Sequence, residues 1–119
     1  MQKINVRANN LELIPSIESY IKKKTDSFSK YLAGDSVARL YVEISKTTEH
    51  HRHGDVFRAE FNLETSDGAM RSEAEGADLY SALDEAKDEL LAELRKNKDK
   101  KITLFREGYR KVKDFLKRF

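Results

Sequence analysis

Three histidines stand within four residues, His50, His51 and His53, with Glu49 and Asp55 nearby. Imidazole and carboxylate are ordinary metal ligands, so this group could hold a cation. A metal site also needs fixed geometry and outer hydrogen bonds, whereas TTEHHRHGD reads as the connection of a hairpin, and a solvated loop without metal is the expectation. Glu60, Glu64 and Glu73 could do acid–base work. They alternate with Arg58 and Arg71 on what the residue pattern makes the wet face of a sheet, where cross-strand ion pairing is the ordinary role. There is no cysteine, no HExxH and no glycine-rich phosphate loop among only five glycines. The chain is not expected to be an enzyme, and no cofactor or small-molecule substrate is implied.

The cations are more informative. Charged residues make up 37% of the 119 residues, yet the formal net charge is only +2. Residues 1–94 hold 12 Lys/Arg against 18 Asp/Glu, a net of −6, and residues 95–119 hold 11 against 3, a net of +8. Such segregation is expected where the partner is a polyanion. The densest run is Arg95, Lys96, Lys98, Lys100 and Lys101. The plain alternative is a lysine-rich helix end favoured by the macrodipole, at about 0.3–1 kcal/mol per residue.

The elements that must carry these residues follow from periodicity. Residues 2–8 alternate with Ile4, Val6 and Ala8 on one side, a half-buried strand. Pro15 suits the first turn of a helix over about 15–32, which buries Ile17, Ile21, Phe28 and Leu32. Strands are expected at 36–46, with Ala38, Leu40, Val42 and Ile44 inward, and at 56–65, with Phe57, Ala59, Phe61 and Leu63 inward. The turn Ser66-Asp67-Gly68 leads to a shorter strand at 69–75. Asp78 caps a second helix from Leu79 to about Lys100, with Leu79, Leu83, Ala86, Leu90 and Leu94 as its core stripe. A separate basic amphipathic helix is expected after Thr103, striped by Phe105, Tyr109, Val112, Leu116 and Phe119. The order β-α-β-β-β-α gives an α+β two-layer sandwich: a four-stranded mixed sheet, strands one and two parallel, with both main helices on its apolar face.

That architecture directs the search for a nucleic-acid surface. A sheet face that stacks bases needs aromatics, and only Tyr41 is available there. The helices are better placed, since Tyr80, Lys87, Leu91, Arg95 and Lys98 share a flank of the second and Lys23 and Lys30 align on the first. Side by side they could form a basic groove. The tail stripe could fold back, pair with a partner helix or lie on an anionic membrane, the last being disfavoured. No apolar N-terminal run or ~20-residue apolar span is present, and with no cysteine a soluble cytoplasmic protein is the expectation.

The opening QKINVRANNLEL, the segment HHRHGDVFRAEF and above all EGADLYSALDEAKDELLAEL followed by KNKDK resemble the bacterial family of ribosome hibernation-promoting factor and ribosome-associated inhibitor A, over residues 1–101. The resemblance implies a sheet under two helices, similar to double-stranded-RNA-binding domains. It also implies binding to the small (30S) ribosomal subunit between head and body, against 16S rRNA where tRNA and mRNA would sit. Idle ribosomes are thereby silenced or preserved in stress or stationary phase. Lys24, Lys96, Lys98 and Lys100 stand where the family typically has basic residues, and Lys87 matches longer members. Glu18, Ser27, Glu89 and Ala92 replace cations common in relatives, a loss that Lys22, Lys23, Arg95 and the tail are expected to offset. The candidate RNA-binding set is Lys22, Lys23, Lys24, Lys30, Lys87, Arg95, Lys96, Lys98, Lys100 and Lys101.

Two units are therefore expected, a ribosome-binding domain at 1–101 and a helical tail at 102–119. The chain is expected to lack the second domain by which long members pair ribosomes, and its basic tail differs from the acidic tail of some inhibitors. The competing functional reading is a protein-interaction module that self-associates through the tail helix.

Overall fold

The computed structural model describes residues 3–47 and 54–117. His50, His51, His53 and Glu49 lie outside them. Asp55 lies within them, and its carboxylate pairs with Lys46 at 3.2 Å.

Alternating apolar residues build four strands, β1 (Ile4–Asn9), β2 (Arg39–Thr47), β3 (Val56–Thr65) and β4 (Gly68–Gly76), in the spatial order β1-β2-β3-β4. β1 runs parallel to β2, pairing Ile4 with Leu40 and Val6 with Val42. β2, β3 and β4 form an antiparallel meander in which Val42 opposes Phe61, and Phe61 opposes Ser72. Because side chains alternate along a strand, this register puts Leu40, Val42, Ile44, Ala59, Phe61, Leu63, Ser72 and Ala74 on one buried face. The sheet order, the parallel first pair and the inward residues agree with the sequence expectation; Phe57 is only half-buried.

Above that face lie α1 (Pro15–Thr25), a 3-10 turn at Asp26–Phe28, a single helical turn α2 (Ser29–Leu32), and α3 (Leu79–Lys117). The helix expected over 15–32 is thus interrupted. Thr25 Oγ1 donates to the carbonyls of Ile21 (2.8 Å) and Lys22 (3.1 Å), and Ser27 Oγ donates to Lys24 O (3.0 Å). Thr25, Asp26 and Ser27 are three weak helix formers in succession, and there the α-helical ladder gives way to the 3-10 turn. The chain nevertheless delivers Phe28 to the core, edge-on to Phe61 with ring centroids 6.4 Å apart. Gly34, at φ +82°, closes the segment. Asp35 Oδ1 then accepts the Val37 amide at 3.0 Å, a turn that delays β2 to Arg39.

At the other helix start, Asp78 caps α3 as expected. Its Oδ1 accepts the Ser81 amide at 2.9 Å and its Oδ2 the Ser81 hydroxyl at 2.8 Å. Leu79, Leu83, Ala86, Leu90 and Leu94 are buried against β3 and β4. Ser72 reaches up to donate to the Ala86 carbonyl at 2.7 Å.

The break expected near Thr103 is absent: α3 runs without interruption for 39 residues. Nothing in Lys98–Glu107 is a helix breaker, and the Thr103 hydroxyl donates back to the Asp99 carbonyl at 3.0 Å, which keeps it inside the helix. The result is elongated, 73 × 29 × 18 Å with a radius of gyration of 19.0 Å, where a compact chain of this length would have about 13–14 Å.

Candidate nucleic-acid interface

The two wide surfaces of the sandwich differ in charge state. On the open sheet face, Glu60 accepts from Arg71 Nε (2.8 Å), Arg58 Nη2 (2.9 Å) and Asn62 Nδ2 (3.0 Å). Glu73 pairs with both arginines. The Arg71 bond is the main cause that holds the Glu60 carboxyl down to about 2. Cations and anions there neutralise one another across β3 and β4, as the alternating sequence implied.

The helical layer is different. Tyr20 of α1 donates its hydroxyl to Asp84 of α3 at 2.6 Å and meets Tyr80 edge-on at 4.7 Å. The bond to the carboxylate pushes the Tyr20 hydroxyl up to about 12. Lys24 joins this knot, 3.6 Å from Asp84 and over the Tyr20 ring. Further along the seam Tyr31 is a second fastening. Its hydroxyl oxygen accepts from Arg95 Nε at 3.2 Å, while Lys30 and Lys98 stand over its ring at 5.3 and 5.4 Å. The Arg95 bond lowers the Tyr31 hydroxyl from its usual range. Three cations from two helices thus converge on Tyr31, Lys30 and Lys98 by cation–π attraction and Arg95 by its hydrogen bond. Beside them opens a cleft of about 360 Å³, lined in part by Lys30, Tyr31, Asn97, Lys98 and Lys101.

The candidate cations therefore divide. Lys24, Lys30, Arg95 and Lys98 are brought together along the α1–α2–α3 seam, and Lys87 lies on the same flank of α3, its stem packed so that the side chain is only 17% exposed. Lys101 ends the row in an ion pair with Asp67 of the β3–β4 turn. Lys22 falls on the opposite flank of α1, lining a cleft over β1 with Glu18 and Asp26. Lys23 is exposed, about 200° around α1 from the buried Ile21, and Lys96 and Lys100 lie about 200–240° around α3 from Leu94, so these three face outward. Sequence reasoning missed Tyr20, Tyr31 and Asp84. The signal was slight: Tyr31 precedes the core residue Leu32, and nothing local says which ring will lie between two helices 64 residues apart. Among the described residues no group of three His, Cys, Asp or Glu could hold a metal, and no helix is long and apolar enough to cross a membrane.

Comparison with known proteins bears on who shares this scaffold. The family described as Sigma 54 modulation protein / S30EA ribosomal protein matches residues 4–102, which spans the sheet, the seam and its cations. The chain belongs to this family. It is 27% identical over 100 residues to the ribosome hibernation promoting factor of Klebsiella oxytoca, covering 82% of this chain and 95% of that one. It is also 27% identical over 103 residues to the ribosome hibernation promotion factor of Bacillus subtilis, covering 87% of this chain but 52% of that protein. The chain thus spans nearly the whole of one kind of relative and about half of the other. Among solved structures, the Thermus thermophilus Protein Y N-terminal domain matches with a TM-score of 0.63 at 27% identity, over 81% of this chain and 98% of that domain. A ribosomal subunit interface protein from Coxiella burnetii, 15% identical with a TM-score of 0.68, shares the fold over 82% of this chain and 99% of that one. The resemblance read from the sequence is borne out, as are the mixed four-stranded sheet and its helical cover. The family extends to residue 102, so the rest of α3 lies beyond it.

Proposed function

We propose that this chain is a ribosome-associated hibernation factor that binds the small subunit through its helical seam, lies against 16S rRNA in the tRNA and mRNA channel, and inhibits translation by occupying it. The observation that carries this reading is the convergence of Lys30, Arg95 and Lys98 on Tyr31 between the helices, opposite a sheet face where Arg58 and Arg71 are already paired with Glu60 and Glu73. Phosphates reward unpaired cations by counterion release, and a groove of fixed cations reads backbone shape rather than base sequence. The family membership and the names of the relatives supply the ribosome as the polyanion. Catalysis has no part in this mechanism, which is occlusion, and its place is the cytoplasm. A protein-interaction module with incidental RNA contact has less support, because it gives the seam no role.

Co-sedimentation with purified 30S subunits tests the proposal. Wild-type protein should migrate with 30S at low salt and progressively less as salt rises. Lys30→Glu with Lys98→Glu should lose binding by at least ~100-fold while keeping the wild-type melting temperature, since both side chains are exposed. Lys96→Glu with Lys100→Glu, on the outward side, should cost much less. Absence of binding at low salt would overturn the ribosome reading, and survival of binding in the Lys30/Lys98 variant would move the interface off the seam.

A further inference from the structure

From Ile102 to Lys117, sixteen residues of α3 are exposed on every side. At 1.5 Å per residue this is an overhang of about 24 Å. Leu104, Phe105, Tyr109, Val112, Phe115 and Leu116 expose between 57% and 76% of their surface. At about 100° per residue they occupy one half of the helix, on the side that carries the buried Leu90 and Leu94. Arg106, Arg110, Lys113 and Lys117 hold one polar flank. The stripe that meets the sheet under the body thus continues beyond the sheet's end. An exposed apolar surface of this extent marks an interaction site.

Two features say what covers it. First, Ile102, Phe105, Tyr109, Val112 and Leu116 recur at alternating steps of three and four, the 3.5-residue period of a helix that packs on another helix. Second, Gly108 sits inside the apolar half, and a Cβ added there would meet nothing within 4 Å. Glycine in a helix interior costs about 1 kcal/mol relative to alanine; it leaves a notch that lets another helix approach and offers no apolar area to a bilayer.

We propose that the overhang is a homodimerisation arm, in which two copies of the chain pair their Ile102–Lys117 segments antiparallel, apolar half against apolar half. In the register that stacks Phe105 on Leu116 and Tyr109 on Val112 of the second copy, Gly108 takes in the second copy's Phe115. A parallel pair would instead set the cationic ends together and crowd two bodies, each of net charge −2 over residues 1–101. Arms of this length bury about 1,000 Å² in total, at the lower limit of specific interfaces, the size of a weak, reversible dimer. This goes beyond the ribosome reading and is independent of it.

Sedimentation equilibrium of the full chain is the test. At about 10–100 μM the mass should rise from 13.8 kDa toward twice that value. Leu116→Glu should weaken association at least ~10-fold without changing the melting temperature of the body. Gly108→Leu, which favours the helix intrinsically, should also weaken it, because the notch is filled. A monomer throughout this range, a dimer indifferent to Leu116→Glu, or a dimer strengthened by Gly108→Leu would each overturn the proposal. So would a monomer that binds vesicles of equimolar phosphatidylcholine and phosphatidylserine through this segment.

Discussion

Glu60 is the residue on which the open sheet face depends. Two arginines and an asparagine donate to one carboxylate, so its ionised form is favoured in the folded chain and its pKa is held down to about 2, from 4.5. A depressed pKa contributes stability that is present above the unfolded value and is lost as pH falls through the folded one. Glu60→Gln should therefore cost about 1 kcal/mol near neutral pH, with the gap from wild type closing between about pH 4.5 and pH 2 in urea unfolding series. In the seam, Tyr20→Phe removes the 2.6 Å bond to Asp84 and should lower stability by ~1 kcal/mol, read as a fall in melting temperature. Tyr31 is the more telling position for function. Tyr31→Ala withdraws the ring that gathers Lys30, Arg95 and Lys98, and 30S binding should weaken although no charge is changed.

At the scale of elements, alternation made the strands legible. β3 falls at 56–65 as its Phe57, Ala59, Phe61 and Leu63 pattern required, and the Asp78 cap and leucine stripe set where α3 begins. Two boundaries were not legible, and each has a local cause. The helix at 15–32 gives way after Thr25, where three weak helix formers, Thr25, Asp26 and Ser27, stand in succession, a propensity that apolar periodicity does not register. α3 passes Thr103 because a threonine that back-bonds to Asp99 does not stop a helix. Truncation after Lys101 should then leave the body's melting temperature unchanged, since Ile102–Lys117 are exposed; a clear fall would mean that the arm packs on the body in solution. Phe28→Ala, by contrast, empties the contact with Phe61 under the 3-10 turn and should cost about 3–5 kcal/mol.

For the whole molecule, a net charge of +2 hides a body at −6 and a C-terminal quarter at +8, and the fold gives that separation two destinations. Lys30, Arg95 and Lys98 enter the seam, while the cations beyond Ile102 ride on an arm that carries the apolar stripe clear of the sheet. Small-angle scattering of dilute protein should return a radius of gyration near 19 Å, and a value near 13–14 Å would mean a folded-back arm. The sequence by itself determined the element order, the inward face of every strand, the family and the concentration of positive charge, because these are written in nearest-neighbour patterns: period two, period 3.6, a capping aspartate, a run of lysines. Only the tertiary structure decided which cations act together. Lys22 and Lys24 are two residues apart and lie on opposite sides of α1, whereas Tyr31 and Arg95 are 64 residues apart and touch. Helical rotation separates close neighbours, and packing of α3 beside α1 joins distant ones.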